Sequence, residues 1–282
     1  MNKRIIARLD IKGPNLVKGI HLEGLRVLGK PSDFAHFYYN EGVDELLYMD
    51  VVASLYERNS LDMIIEETAK DIFIPLTVGG GIRTIDDIKK VLRAGADKVC
   101  INTAAIRNPR FLQEATTKFG SSTIVVAIEA IKQPDGKYLA FIDNGRQHTG
   151  VEAVSWAQKV EDLGCGEIII TSVDREGTGN GFDIDLTRMI TDAVNIPVIV
   201  HGGAGNSEHI LEIFKDSDAD AACISSMFHY DYVESDHYSL KENTEGNYDF
   251  IKSKKGVKHI VPTSIKNLKE FLSSRQVSLR ST

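Results

Sequence analysis

The sequence predicts a single (β/α)8 barrel built from two similar half-barrels. Two observations carry that prediction: short apolar runs alternate strictly with longer amphipathic stretches, and the first half of the chain recurs in the second. Buried parallel strands are short, rich in β-branched residues and apolar on both faces. Runs of this kind lie near 4–10, 45–51, 74–79, 98–102, 123–129, 167–172, 197–201 and 221–225. Helical stretches are expected between them, near 31–42, 59–70, 84–95, 108–119, 150–164, 183–194 and 207–217, with a last one near 263–274. Several begin at residues that satisfy the free N–H groups of a first turn or pre-set its backbone: Ser32-Asp33, Asn59-Ser60, Thr84 ahead of Asp86-Asp87, and Asn108 before Pro109.

The repeat selects a closed barrel over an open, doubly wound sheet. Ile74-Pro75-Leu76-Thr77-Val78-Gly79-Gly80-Gly81 matches Ile196-Pro197-Val198-Ile199-Val200-His201-Gly202-Gly203, 122 residues further on. Gly95-Ala96-Asp97-Lys98-Val99 is matched 123 residues on by Asp218-Ala219-Asp220-Ala221-Ala222, and Asp44-Glu45-Leu46-Leu47 122 residues on by Gly166-Glu167-Ile168-Ile169. The first strand ends in Leu9-Asp10 and the fifth in Ile128-Glu129. Two four-unit halves close naturally into an eightfold barrel, whereas an open sheet has no reason to repeat. One domain is therefore expected over 1–282, with halves of about 1–120 and 121–282. Residues of about 229–262, polar and charged, are expected as an insertion between the eighth strand and the last helix. So long a connection in a compact domain is usually functional, and βα loops open on the active-site face.

Composition narrows the partners. Of the 282 residues, 42% are hydrophobic, and the formal net charge is −7. Net acidity argues against a nucleic-acid footprint. No apolar run is long enough to span a bilayer, and the first residues lack a signal-peptide core. A cytoplasmic protein is expected. Cys100, Cys165 and Cys223 are odd in number, far apart and next to apolar runs, so they are expected as buried free thiols. The histidines show no metal spacing: His201 and His209 fall on different elements, and His229 and His237 fall in the insertion. No metal and no cofactor are expected.

Barrel chemistry sits at the C-terminal ends of the strands. Asp10 and Glu129 each end an apolar run, and the half-barrel symmetry puts them on opposite sides of the mouth, where one can give a proton and the other take it. Gly80 and Gly81 follow the third strand, and Asn102 and Thr103 the fourth; Gly177 and Thr178, Gly202 and Gly203, and Ser225 and Ser226 follow the sixth, seventh and eighth. Glycines let backbone N–H groups approach phosphate oxygens, and a helix N-terminus adds its positive end. Two such sites across one mouth imply a long substrate with a phosphate at each end. Lys18, in the glycine-bounded loop Gly13–Gly19, is a candidate to close over that anion. Asp174 is expected either at the substrate or in its own turn. Trp156 is expected as a helix-face residue.

Together, Leu9-Asp10 with Val17-Lys18-Gly19, Val78-Gly79-Gly80-Gly81-Ile82-Arg83, Ala94-Gly95-Ala96-Asp97-Lys98-Val99, Asn102-Thr103-Ala104-Ala105, Thr171-Ser172-Val173-Asp174-Arg175-Glu176-Gly177-Thr178 and Gly202-Gly203-Ala204-Gly205 resemble the cyclase subunit of imidazole glycerol phosphate synthase. The likeness runs from about residue 3 to 228 and resumes at the last helix. It implies a heterodimer with a glutaminase whose ammonia travels through the barrel. At the mouth the ammonia meets a bis-phosphorylated ribulosyl aminoimidazole carboxamide precursor, giving imidazole glycerol phosphate and an aminoimidazole carboxamide ribotide. The resemblance makes Asp10 the first catalytic aspartate, Arg4, Glu45, Lys98 and Glu167 a charged ammonia gate, and Asp97 a residue of the glutaminase interface. Three features depart from the family pattern: Glu129 stands where the family has a second aspartate, Gly13-Pro14-Asn15 replaces Asp-Gly-Arg, and the 229–262 segment is unusual. They resemble a divergent branch that supplies ammonia for amidino-sugar formation in surface-polysaccharide or flagellar-glycan pathways. A non-catalytic scaffold that activates a glutaminase is a third reading, against which the retained glycines count.

Overall fold

The computed structural model describes residues 2–53, 61–238 and 259–280. Among them eight parallel strands form the barrel: β1 (Arg4–Lys12), β4 (Glu45–Asp50), β5 (Leu76–Gly79), β6 (Lys98–Ile101), β7 (Ile124–Lys132), β10 (Glu167–Ser172), β11 (Val198–His201) and β12 (Ala221–Ile224). Each pairs with the next, and two pairings join the halves: β6 with β7 (Val99 opposite Ile124) and β12 with β1 (Ala221 opposite Arg4). All eight strands match runs expected from sequence, within a few residues at their ends. The long helices also fall where amphipathic stretches were expected: α1 (Pro31–Asn40), α2 (Asp62–Asp71), α3 (Ile85–Ala94), α5 (Pro109–Phe119), α6 (Ala153–Asp162), α7 (Ile184–Thr191), α8 (Ser207–Asp216) and α10 (Ile265–Ser274).

Strand alternation sorts the core into two layers. On β1, Ile5, Ala7, Leu9 and Ile11 join the large cluster under the helices, while Ile6 belongs to a smaller one with Leu47, Met49, Cys100, Val125, Ala127, Ile169, Ile199 and Cys223. The smaller cluster fills the barrel lumen, so the interior is packed rather than open. Helix α3 shows how the outer layer is fixed. Ile88, Val91 and Ala94 are buried on one face, and Thr84 and Asp87 cap the first turn reciprocally at 3.1 and 2.9 Å. The Ser32-Asp33 start signal was one residue late: Pro31 opens α1, its missing N–H costing nothing at that position. The Asn59-Ser60 signal lies outside the described residues.

The sequence reading missed two antiparallel ribbons. β2 (Asn15–Ile20) and β3 (Glu23–Gly29) fold back from β1; β8 (Tyr138–Ile142) and β9 (Gln147–Glu152) fold back from β7. Their turns carry left-handed residues at His21 and Leu22 and at Asp143 and Asn144, again 122 positions apart, so the duplication extends into the first loop of each half. The Gly13–Gly19 segment is thus mostly strand. Two short helices, α4 (Thr103–Arg107) and α9 (Ser226–Glu234), were also missed. Because α9 follows β12 directly, the segment expected as an insertion from 229 begins inside a helix; residues 239–258 lie outside the described ones. His229 is wholly buried there and hydrogen-bonded to the Tyr38 hydroxyl at 2.6 Å.

In three places a carboxylate just before one strand staples the start of the strand beside it. Asp44 accepts the Ile5 N–H at 2.6 Å, Asp97 that of Leu76 at 2.8 Å, and Asp220 that of Val198 at 2.9 Å. These N–H groups lie at strand ends, where the ladder does not satisfy them. Asp44 also pairs with Lys269 of α10 at 2.7 Å. Asp220→Ala should lower unfolding free energy by about 1–2 kcal/mol in urea titration. Asp44→Ala, which also strands the Lys269 charge, should cost about 3 kcal/mol or more.

Candidate active site

Asp10 and Glu129 both lie on the lumen side, near the C-terminal ends of strands β1 and β7, four places apart around the eight-strand ring. Both are almost fully buried. Burial pushes the Glu129 carboxyl up to about 7, against the opposing influence of Arg8 and of the Gly145 N–H, which donates to it at 2.7 Å. A carboxyl that titrates near neutrality can give or take a proton under physiological conditions. Asp10 has a different neighbour. Arg8 Nε donates to its Oδ1 at 2.8 Å, and Arg8 is itself 3% exposed. Arg8 Nη1 lies 3.2 Å from His201 Nδ1. A guanidinium only donates, so Nδ1 must accept, which leaves the proton of neutral His201 on Nε2. Burial, Arg8 and Lys18 together depress His201 well below its ordinary range and keep it neutral.

The glycines build two cradles. Gly80, Gly81, Asn102 and Thr103 line a cavity of about 220 Å3 with Glu129, Arg107, Asp143 and Asn144. Gly80 has φ 97°, and a Cβ there would sit 2.3 Å from the Asp50 carbonyl oxygen, so only glycine fits. Across the mouth, Lys18, Glu176, Gly177, Gly202, Gly203, Ser225 and Ser226 line a much tighter site of about 20 Å3, roughly the room for one water. Gly203, with φ 109°, would place a Cβ 2.0 Å from the Gly181 carbonyl oxygen. Lys18 here is not a mobile surface cation. It is buried and ion-paired with Glu176, whose second oxygen accepts the Leu22 N–H at 2.8 Å. An anion entering this side therefore meets Lys18 already neutralised, and has to compete with Glu176 for it.

Two expected residues fall off both cradles. Asp174 is exposed and accepts the Lys132 N–H at 2.9 Å, tying the loop after β10 to the end of β7. Thr178 turns back on the Arg175 carbonyl at 2.7 Å. Arg8, His201, Glu176, Arg107 and Asp143 were not anticipated at the mouth. Asn144-Gly145, a strong two-residue hairpin signal, would have located the last of these.

At the opposite end of the barrel, Arg4, Glu45, Lys98 and Glu167 form a closed ring. Arg4 Nη1 reaches Glu45 at 2.8 Å and Glu167 at 3.0 Å, and Lys98 reaches the same two carboxylates at 3.4 and 3.1 Å. Each is the first residue of its strand, which places the ring at the N-terminal rim. Nearby, Asp97, Phe73, Pro75 and Gly95 line a surface depression of about 390 Å3, and Phe73 is 79% exposed. Cys100 and Cys223 in the lumen, and Cys165 outside it, are buried free thiols, each pushed up to about 12 by burial. No helix among the described residues is long and apolar enough to cross a membrane.

Fold and site together define a class: a duplicated (β/α)8 barrel with opposed carboxylates in its mouth and a glycine cradle on each side. Residues 4–234 match the model of a family described as histidine biosynthesis protein. Among curated relatives, the imidazole glycerol phosphate synthase subunit HisF of Legionella pneumophila is 55% identical over 207 residues, covering 73% of this chain and 98% of the relative. The proteins of the same name from Methanopyrus kandleri and Methanococcus vannielii are 45% and 42% identical over 246 and 267 residues, covering 81% and 88% of this chain and 90% and 97% of theirs. The chain belongs to this histidine biosynthesis family.

The raised Glu129 carboxyl has a consequence for stability. Its folded-state value lies above the ordinary 4.5, so the native protein holds a proton that the unfolded chain releases, and stability falls as pH rises from about 4.5 to about 7. Glu129→Gln should remove that slope. In denaturant titrations at pH 5 to 8 the variant should gain on the wild type by on the order of 2–3 kcal/mol across the window, whereas a parallel pair of curves would contradict the buried, proton-holding Glu129.

Proposed function

We propose that the chain is the cyclase subunit of an imidazole glycerol phosphate synthase, a lyase of histidine biosynthesis. In this reading it takes ammonia from a partner glutaminase. It converts a bis-phosphorylated ribulosyl aminoimidazole carboxamide precursor into imidazole glycerol phosphate and an aminoimidazole carboxamide ribotide. The observation that carries it is the placing of Asp10 and Glu129 on opposite walls of one lumen, between two glycine cradles. A substrate with a phosphate at each end spans the mouth with its reacting centre over the carboxylates. The wider cradle receives one phosphate through backbone N–H groups of Gly80 and Gly81 and the first turn of α4; the tighter one receives the other when Lys18 exchanges Glu176 for phosphate. Glu129, titrating near neutrality, supplies the proton that ring closure and bond cleavage require, and Asp10 accepts one.

Ammonia has to arrive unprotonated, because only the free base has the lone pair that attacks. A dry, packed lumen keeps it so. The ring of Arg4, Glu45, Lys98 and Glu167 stands where such a path enters, and each member has two partners in it, so one pair can open to admit a neutral molecule while the other holds the charge. The glutaminase docks on that rim, where exposed Phe73 beside Asp97 offers an apolar anchor.

A second reading, ammonia delivery for amidino-sugar formation, is favoured by Glu129 in an aspartate position. The extra methylene moves the carboxylate by roughly 1 Å, enough to alter rate on the order of 10²-fold. Purified protein with ammonium salt should consume the ribulosyl precursor, and Asp10→Asn should reduce turnover on the order of 10²-fold or more. Absence of turnover in both the wild type and Glu129→Asp rules the cyclase out. Rescue of a histidine auxotroph separates the two readings in cells. Phe73→Glu should abolish glutamine-driven turnover while leaving ammonium-driven turnover intact.

A further inference from the structure

A permanent cation inside a barrel lumen calls for an explanation. The lumen is otherwise lined by Ile6, Leu47, Met49, Val125, Ala127, Ile169 and two thiols, and an unpaired charge there costs several kcal/mol. Arg8 meets this cost with three nitrogens used unequally. Nε pairs with Asp10 and Nη1 donates to His201, while Nη2 is buried with no hydrogen-bond partner among the described residues. A purely structural arginine is normally satisfied at every N–H, since a buried donor left alone costs about 1–3 kcal/mol. Both of its held contacts converge on the mouth. One is the carboxylate at the end of β1. The other is an imidazole at the end of β11, itself braced by the Thr171 hydroxyl at 3.2 Å.

We propose that Arg8 is a positioning residue of this site: its two-point grip on Asp10 and His201 fixes the β1 carboxylate in the mouth and holds a cation in the lumen that Glu129 shares. The inference rests on the catalytic reading above and adds to it a residue that the two-carboxylate scheme does not contain. The two carboxylates then differ in kind. Asp10 is tied to a cation through a direct 2.8 Å bond, whereas Glu129, among the described residues, receives the Gly145 N–H and feels Arg8 through space.

The other groups around Glu129 act in known directions. Asp10 from β1 and Asp143 from the ribbon turn both favour its protonated form, and Arg107 of α4, which lines the same cavity, is paired with Asp143 at 2.8 Å. Cys100 from β6 and Cys223 from β12 are neutral thiols, and His201 from β11 is neutral. Lys18 and Glu176, one from each side of the tighter cradle, offset one another in their own ion pair. Arg8 is therefore the cation in the lumen that opposes the two acids on Glu129.

Three chains test this: wild type, Arg8→Lys and Arg8→Met, each first checked for a cooperative thermal transition. The Glu129 carboxyl is followed by 13C NMR titration, with Glu129→Gln to assign it, and ammonium-driven turnover is measured as kcat and KM against pH. In Arg8→Met the Glu129 midpoint should move upward from about 7, carrying the matching limb of the pH–rate profile with it, and kcat should fall on the order of 10²-fold with KM little changed. Arg8→Lys, which keeps the charge and loses the two-point grip, should leave the midpoint in place and still lose kcat. Should Arg8→Met not fold, the Asp10→Asn, Arg8→Met double variant takes its place in the titration, compared with Asp10→Asn alone so that only the guanidinium differs. A Glu129 midpoint that ignores removal of the guanidinium overturns the inference, as does full kcat in Arg8→Lys. A wild type that titrates as stated but turns nothing over defeats the cyclase reading instead, and leaves the midpoint comparison to decide the role of Arg8.

Discussion

Closing eight strands into a cylinder forces every second residue inward, and a charged residue at an inward position must find its counter-charge inside or at a rim. That constraint organises this protein. At the N-terminal rim, Arg4, Glu45, Lys98 and Glu167 answer one another in a ring. Midway, apolar side chains and thiols fill the lumen. At the mouth, Arg8 answers Asp10, and Glu129, which has no direct cationic partner among the described residues, keeps its proton to about pH 7. Chemistry is concentrated where the pairing is incomplete. The rim is charge-balanced; among the described residues the mouth holds one carboxyl met by a backbone N–H rather than a cation, and one guanidinium nitrogen with no partner.

Duplication supplies the geometry. The same strand–ribbon–helix plan is laid down twice, so the first and fifth strands end in carboxylates on opposite walls and a glycine turn follows the third and the seventh. The halves have nevertheless diverged at the anion sites. One cradle is roomy and borders Glu129; the other is nearly filled by the Lys18–Glu176 pair. A two-ended ligand would therefore be gripped by two different mechanisms: backbone N–H groups on one side, and exchange of a buried ion pair on the other.

Much of the frame was legible in the sequence because buried parallel strands announce themselves. Runs such as Ile168-Ile169-Ile170 and Val198-Ile199-Val200 are apolar on both faces, and the repeat fixed their order. The ribbons were not legible, since Gly13 and Gly19 read as hinges while the strand Leu16-Val17-Lys18 between them is too short to stand out. Helix α9 was hidden for another reason. His229 and Tyr232 score as polar, yet both meet Phe34 edge to face, and His229 stacks on Tyr38, whose hydroxyl bonds its Nδ1. Arg8 escaped notice because hydropathy does not say which side of a strand a residue faces, and its partner His201 lies 193 positions away.

The seam between β12 and β1 sets Ala221 against Arg4, so it is the contact of longest range in the barrel wall. Within each half, neighbouring strands are also neighbours in sequence and can associate early. The seam has to await nearly the whole chain, and contacts of such separation slow folding. The rim ring draws Arg4 and Glu167 from opposite halves, so although Arg4 and Glu45 can meet early, the four side chains are closed into a ring only when the cylinder shuts. Their dehydration therefore falls on the final, slowest event of assembly. The barrier to forming this molecule should thus respond to ionic strength, even though the finished core is almost wholly hydrocarbon.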